Sequence, residues 1–80
     1  MFTVYVLYSE KFNKIYVGYT SNIEQRLLAH NELETKGYTL RFRPWKLMHS
    51  EIFTDKANAT KREKELKSAK GREFIWNIIG

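Results

Sequence analysis

Two short runs of apolar and aromatic residues open the chain, and each predicts a β-strand. The first runs from Phe2 to Tyr8 and the second from Ile15 to Tyr19, and both are rich in β-branched and aromatic side chains. The residues between the runs are polar, and Asn13 suits a turn. The pattern therefore predicts a hairpin of two antiparallel strands.

The pairing of the two strands determines which side chains share a face. Pairing Tyr8 with Asn13 would place Tyr5 directly opposite Tyr16, and directly opposed residues point to the same side of a sheet. We therefore expect one more polar face and one apolar face. The polar face would carry Thr3, Tyr5, Tyr16, Gly18 and Thr20, and the apolar face Phe2, Val4, Val6, Ile15 and Val17.

A helix is predicted directly after the hairpin. Ser21 and Glu24 fit a capping box, in which Ser21 receives backbone N–H groups and Glu24 reaches back. The helix should run to about Leu33, and its apolar residues Ile23 and Leu27 should face the core. The segment that follows, residues 34–43, has the composition of a loop.

The second half of the chain predicts one more strand and two helices. Residues 45–53 mix apolar side chains on both faces, which is typical of a central strand covered on two sides. Asp55 suits the N-cap of a helix to about Ser68, and Gly71 suggests a break before a short closing helix. The order β-β-α-β-α-α fits an α/β (α+β) sandwich with a small antiparallel sheet, and residues 1–80 would form a single domain.

Composition and charge narrow the class of protein. The chain of 80 residues contains no cysteine, which excludes disulfides and thiolate zinc sites, so we expect a reducing cytoplasm. No apolar run approaches the roughly 18 residues of a membrane span. The net charge is +5, and the whole excess lies in residues 41–80. Such a basic half favours nucleic acid as a partner, although a solvated basic surface has the same composition.

One carboxylate falls on the predicted inward side of a helix. Ala59, Glu63, Leu66 and Lys70 recur at helical spacing, and Ala59 and Leu66 should face the sheet. Glu63 then also points inward, whereas Glu65 should face water. A carboxylate in that position must be paired, protonated or bound to a cation. Pairing with a neighbouring lysine or arginine is the more common of these alternatives.

Four further residues near the hairpin could perform chemistry: Tyr5, Tyr16, Arg26 and His30. Arg26 and His30 are four residues apart and emerge from nearly the same side of a helix. Phosphodiester hydrolysis needs a base, a proton carrier and a cation, and these side chains could supply them. Each also has a structural alternative, since strand tyrosines usually pack, Arg26 could pair with Glu24, and His30 could cap its helix.

At these residues the chain resembles the GIY-YIG nuclease superfamily. The two tripeptide motifs of the family are matched loosely by Thr3-Val4-Tyr5 and closely by Tyr16-Val17-Gly18. Arg26, His30 and Ala59-x-x-x-Glu63 fall where the family places its other polar residues. Two further stretches are similar to the small stand-alone bacterial members: residues 41–47 and 62–67.

The resemblance implies a three-stranded antiparallel sheet flanked by helices, and hydrolysis of DNA phosphodiesters with one divalent metal, Mg²⁺ or Mn²⁺. Glu63 would hold the metal, and Arg26 would offer donors to the phosphate oxygens. Tyr5, Tyr16 and His30 would handle the attacking water and its proton. Proposals for the family favour the first-motif position, here Tyr5, as the base.

Four basic residues are the predicted nucleic-acid contacts: Arg41, Arg43, Lys46 and Lys67. Thr3 replaces the first glycine of the family motif, and we expect no attached domain to select the substrate. Intrinsic specificity would then be weak, or a protein partner would supply it, with branched or nicked DNA from repair or recombination as the substrate. The alternatives are a non-catalytic nucleic-acid-binding module and an accessory subunit of a partner nuclease. We interpret His49 as structural.

Overall fold

The computed structural model describes residues 1–33 and 37–80. Its elements, in chain order, are strand β1 (Phe2–Ser9), strand β2 (Lys14–Thr20), helix α1 (Ile23–Leu28) with a π-helical continuation (Ala29–Leu33), helix α2 (Tyr38–Arg41), strand β3 (Lys46–Phe53), helix α3 (Lys56–Lys67) and helix α4 (Ala69–Ile79). The predicted three-stranded antiparallel sheet is confirmed. The predicted loop over residues 34–43 is wrong for the part that forms α2, and residues 34–36 lie outside the described residues.

Strand β1 is the centre of the sheet, whose order is β2-β1-β3. Both neighbours pair with it antiparallel. The prediction that the third strand is central is therefore wrong, because β3 pairs with β1 alone among the described strands. Its apolar residues do not reflect burial on two faces, since Ile52 is 67% exposed. The four consecutive buried residues of β1, residues 4–7, mark the true central strand.

The register of the hairpin differs from the predicted one. Tyr5 lies opposite Gly18, and Tyr16 lies opposite Leu7. Asn13 adopts a positive φ of 53° and belongs to the turn. The pair next to the turn is therefore Ser9–Lys14, one residue later along each strand than the predicted pair Tyr8–Asn13. The shift preserves which residues share a face, because it moves each partner by two positions. The predicted division into two faces is therefore confirmed although the Tyr5–Tyr16 pairing is wrong.

Two apolar clusters cover the two faces of the sheet. The cluster under α3 and α4 consists of Val4, Val6, Val17, Ala59, Leu66 and Ile75. The cluster under α1 and α2 consists of Tyr5, Leu7 and Trp45, with Tyr16, Ile23, Leu27 and Phe42 packed against it. The predicted inward positions of Ile23, Leu27, Ala59 and Leu66 are confirmed. Each cluster removes from water the apolar face of a helix that would not be stable alone.

Helices α1 and α3 begin at side chains that accept backbone hydrogen bonds. Asn22, not Ser21 as predicted, caps α1, and its Oδ1 accepts from the Gln25 N–H at 3.1 Å. Asp55 caps α3 as predicted, accepting from the Asn58 N–H at 2.8 Å. Such caps satisfy donors that have no partner within the helix.

The break between the last two helices falls at Ser68 and not at Gly71. The Ser68 hydroxyl caps α4 by accepting from the Gly71 N–H at 3.2 Å. Gly71 itself is buried within α4, and a Cβ there would lie 2.1 Å from the Glu65 carbonyl oxygen. The glycine is therefore needed for the close approach of the two helices. Within the described residues, no helix is both long and apolar enough to cross a bilayer.

Candidate active site

Three of the predicted site residues form one cluster of rings on the α1 side of the sheet. The Tyr5 hydroxyl oxygen and His30 Nε2 are hydrogen-bonded at 2.9 Å, and each residue is 1% exposed. The ring centroid of Tyr16 lies 4.9 Å from that of His30 and 6.3 Å from that of Tyr5. The fold therefore brings together two phenols and an imidazole that are distant along the chain.

Gly18 makes room for the two tyrosine rings. A Cβ at this position would lie 2.7 Å from the Tyr5 hydroxyl oxygen and 2.9 Å from Tyr5 Cζ. It would also lie 3.2 Å from Tyr16 Cε2. The glycine of the second tripeptide thus has a steric role, because the Tyr5 ring lies across the backbone of β2. The observed register, with Tyr5 opposite Gly18, follows from the same fit.

The π-helical segment that carries His30 is held by contacts from the chain around β3. Arg43 donates to the carbonyl oxygens of Ala29 and His30, the former at 3.2 Å. The Asn31 side chain accepts from the Trp45 N–H at 2.7 Å and donates to the Trp45 carbonyl at 3.1 Å. These bonds fix the segment and therefore the position of the imidazole against Tyr5. Single π-helical turns inside helices often occur at functional sites.

Arg26 lies one helical turn before His30, on the solvent side. Its side chain is exposed, whereas the imidazole is buried. It lines a shallow cleft of about 220 Å³ whose walls include Thr20 and Asn22. Arg26 therefore lies at the surface, beside a cleft that dissolved anions can enter.

Glu63 is partly buried and paired with a lysine. Its side chain is 15% exposed, and its Oε2 lies 3.6 Å from the Nζ of Lys67, which is 53% exposed. Lys67 and Tyr16 line the same cleft, of about 430 Å³. Glu63 is therefore paired with a lysine that lines the cleft bordered by Tyr16. The expected pairing with a neighbouring cation is confirmed, and Glu65 is exposed as predicted.

The donor set around Glu63 suits a cation that keeps most of its water ligands. Within residues 1–33 and 37–80, no three carboxylate, imidazole or thiol groups gather as a metal site. Mg²⁺ does not need such a cage, since it is commonly bound through one or two carboxylates plus water and substrate phosphate. The single Glu63 carboxylate, held near an exposed cation that can move away, fits this mode of binding.

The four predicted nucleic-acid contacts come from separate segments of the chain. Lys67 lines the cleft beside Tyr16, and the exposed Arg41 lies 5.4 Å from the Phe42 ring centroid. Lys46 lies on β3, at the other edge of the sheet. Arg43 donates to the backbone of the π-helical segment, which is a structural contact that the sequence did not indicate. Contact of these four residues with nucleic acid stays a prediction.

Two aromatic residues of the site were not predicted. Tyr38 and Trp45 pack around Tyr16, with centroid distances of 6.4 and 6.3 Å. The Trp45 indole is buried and donates to the Thr39 carbonyl at 2.7 Å. Tyr38 lay in a predicted loop, so no pattern of neighbouring residues marked it. The high aromatic content of the chain was the one available signal.

A second polar cluster joins β3 to α3 on the other face of the sheet. Glu51 Oε2 lies 2.7 Å from His49 Nε2, and Arg62 Nε donates to both Glu51 carboxylate oxygens, at 3.0 and 3.1 Å. Burial acts to raise the pKa of Glu51, but hydrogen bonds and charge from Arg62 and His49 lower it overall. His49 therefore has a structural contact, as interpreted from the sequence.

Comparisons with known proteins identify the class to which this arrangement belongs. The family described as the GIY-YIG catalytic domain matches residues 1–76. A UPF0213 protein of Staphylococcus haemolyticus is 41% identical over 58 residues, covering 72% of this chain and 71% of that protein. A UPF0213 protein of Natronomonas pharaonis is 43% identical over 65 residues, covering 81% and 75%. The solution NMR structure of a UPF0213 protein from Bacillus halodurans has a TM-score of 0.57 at 26% identity, over 98% of this chain and 85% of that one.

The chain therefore belongs to the GIY-YIG domain family, and it has the nuclease-type fold of that family. Within the family it is similar to the UPF0213 proteins, whose names specify neither an activity nor a substrate. The resemblance seen in the two tripeptides is confirmed, and so is the antiparallel sheet that it implied.

Proposed function

We propose that the protein is a metal-dependent endonuclease that hydrolyses DNA phosphodiester bonds. The observation that carries the proposal is the buried hydrogen bond between Tyr5 and His30, adjacent to Tyr16. A histidine is costly to place in the core, and here its Nε2 is hydrogen-bonded to a hydroxyl that can exchange a proton with it. Membership of the GIY-YIG family supports the same chemistry.

Tyr5, Tyr16 and His30 would move the proton of the attacking water. A free phenol has a pKa of about 10, so a phenol that acts as a base needs a cation nearby. Arg26 and the bound metal would supply that charge. The hydrogen bond between Tyr5 and His30 would let the imidazole exchange a proton with the phenol, while Tyr16 borders the open cleft and would contact the substrate side.

Glu63 would hold the divalent metal, for which we propose Mg²⁺ or Mn²⁺. When bound, such an ion polarises the phosphate and stabilises the leaving oxygen. Lys67 would be displaced from Glu63 and released toward the cleft that it lines. Arg26 would donate to phosphate oxygens as negative charge accumulates on them. Each of the five predicted site residues then has a role in the proposed reaction.

The test is cleavage of nicked, branched and linear DNA with and without Mg²⁺ or Mn²⁺. We expect metal-dependent nicking that is lost in Glu63→Gln and Arg26→Ala and reduced at least about a hundredfold in Tyr5→Phe, as for removal of a general base. Glu65→Gln is the matched control, because Glu65 is exposed on the same helix. Binding of all three substrates by the wild type without cleavage of any would contradict the proposal.

A non-catalytic nucleic-acid-binding module is the second candidate, and one observation favours it. Among the described residues, the Glu63 carboxylate pairs with a cation of the chain itself, Lys67, which can neutralise the charge that would attract a metal. On this alternative, DNA affinity would be the same with and without Mg²⁺. A role as an accessory subunit would require a partner nuclease to co-purify with the protein, and a solitary monomer would exclude it.

A further inference from the structure

A groove begins beside Tyr16 and follows the edge of strand β2 that is not paired with β1. The cleft beside Tyr16, of about 430 Å³, shares Ile15, Tyr38 and Arg72 with a second cleft of about 240 Å³ that reaches Trp76. We call this groove the β2-edge groove. Its cations and aromatic rings are Lys14, Tyr16, Tyr38, Lys67, Arg72 and Trp76.

The lining of the β2-edge groove combines positive charge with flat rings. It holds three cations and three aromatic side chains, and among the described residues that line it none is acidic. The basic residues come from β2, the end of α3 and the start of α4, so the fold concentrates charge from distant positions. This combination is what a nucleic-acid strand needs, because cations follow the phosphates and rings stack on bases.

The outer rings of the groove are exposed but held in place. Tyr38 and Trp76 are 45% and 36% exposed. The Trp76 ring packs edge-on against Tyr8 with centroids 6.1 Å apart, and the Tyr38 hydroxyl donates to the Ile15 carbonyl at 3.4 Å. A ring that is fixed in this way loses little conformational entropy when a base stacks on it.

We propose that the β2-edge groove binds single-stranded DNA and leads it to Tyr16. A single strand can turn its bases onto Tyr38 and Trp76, whereas the bases of a duplex are already stacked on each other and unavailable. Lys14 and Arg72 would contact the phosphates between those bases. The inference rests on the proposed function for the direction of the strand toward Tyr16, and it extends that function by naming an unpaired strand as the substrate class.

Binding can be tested without cleavage, in the absence of metal. Trp76 is exposed and Trp45 is buried, so the fluorescence of the groove tryptophan can be distinguished by substitution. We expect a short oligothymidylate to quench the tryptophan fluorescence, and Trp76→Phe to remove the quenching. A self-complementary duplex of equal length should bind at least about five times more weakly, since it cannot stack on the rings. Equal affinity for duplex without quenching would overturn the proposal.

The dependence of DNA affinity on salt concentration tests whether the groove cations contact phosphates. Each phosphate contact contributes about 0.7 to the slope of log affinity against log salt for single strands, so Lys14→Gln and Arg72→Gln should each lower the slope by about that amount. Lys64→Gln is the matched control, because Lys64 is an exposed lysine of α3 outside the groove. An equal effect of Lys64→Gln would overturn the proposal, since binding would then reflect diffuse charge. Equal binding of an acidic peptide would also overturn it.

The two proposals can fail separately. If the oligothymidylate binds and quenches Trp76 but no DNA is cut with Mg²⁺, the groove is supported and the nuclease is not. If duplex DNA is cut while Lys14→Gln and Arg72→Gln leave binding unchanged, the nuclease is supported and the groove is overturned. Circular dichroism of each variant establishes that it is folded before it is compared.

Discussion

Gly18 shows how a single position connects the motif to the chemistry. The second tripeptide ends in glycine because the Tyr5 ring occupies the space where a side chain would begin. The same contact sets the register that brings Tyr5 within hydrogen-bonding distance of His30. A motif residue without any functional group is therefore necessary for the arrangement of those that have one.

The first prediction is that Gly18→Ala damages the site more than the fold. The added methyl group would push the Tyr5 ring away, and overpacking of this kind costs about 1–3 kcal/mol of unfolding free energy. We expect a lower midpoint in urea unfolding, together with loss of nuclease activity. In a Tyr5→Phe background the stability cost should be smaller, because the closest atom, the hydroxyl oxygen, is absent. Strictly additive costs in this double-mutant cycle would contradict the steric explanation.

At the scale of elements, the sequence predicted the types of most elements but not their neighbours. Side-chain alternation determined the faces of the hairpin, because a shift of two positions leaves every face unchanged. It could not determine the register, which depends on Asn13 in the turn and on the space at Gly18. The position of β3 at the edge depends on long-range pairing with β1, which composition does not report.

The candidate site was predictable to a similar extent. Tyr5, Tyr16 and His30 could be recognised from their motif positions and do come together. The role of Arg43 in holding the π-helical segment could not be recognised from the sequence. It depends on hydrogen bonds to carbonyl groups thirteen and fourteen residues earlier in the chain. The rings of Tyr38 and Trp45 were missed for the same reason: they join the site through tertiary contacts.

The bridge between β3 and α3 predicts a specific dependence of stability on pH. The pKa of Glu51 in the folded protein lies below its ordinary value of 4.5. A lowered carboxyl pKa stabilises the folded state above 4.5, and the stabilisation is lost as the pH falls through the folded-state pKa. Glu51→Gln should therefore lower the stability at neutral pH. The variant should also lose less stability than the wild type as the pH falls into the acid range.

Thermal unfolding measured across the acid range checks this dependence. Glu73→Gln is the control, because Glu73 is exposed on α4 and outside the Glu51 bridge. We expect Glu73→Gln to lose stability with falling pH as steeply as the wild type does. An acid limb of unchanged slope in Glu51→Gln would show that other carboxylates determine the acid sensitivity.

At the scale of the whole molecule, the fold and the proposed metal site are energetically separate. Two apolar clusters hold helices against both faces of the sheet, and neither contains Glu63. A metal that binds the single Glu63 carboxylate of α3 adds stability only by mass action, about 1.4 kcal/mol at a tenfold excess over its Kd. The chain should therefore be folded in EDTA, unlike small domains whose fold requires a structural metal.

Thermal unfolding with and without Mg²⁺ tests this separation. We expect EDTA to leave the Tm unchanged and saturating Mg²⁺ to raise it by several degrees, since about 1 kcal/mol shifts the Tm of a domain of this size by about 4–8 °C. Glu63→Gln should abolish the Mg²⁺ effect, and Glu65→Gln should retain it. Unfolding in EDTA would mean that the metal is structural.

The ion pair between Glu63 and Lys67 determines whether Mg²⁺ stabilises a Lys67 variant more or less than the wild type. Lys67 competes with the metal for the carboxylate, because its Nζ lies 3.6 Å from Oε2. Lys67→Gln should lower the Tm without metal, since it leaves a mostly buried carboxylate without its cation. The same substitution should enlarge the rise in Tm that Mg²⁺ produces, because the metal then no longer competes with Lys67. A smaller rise in Lys67→Gln than in the wild type would show that Mg²⁺ binds elsewhere, and the assignment of Glu63 as the metal ligand would be wrong.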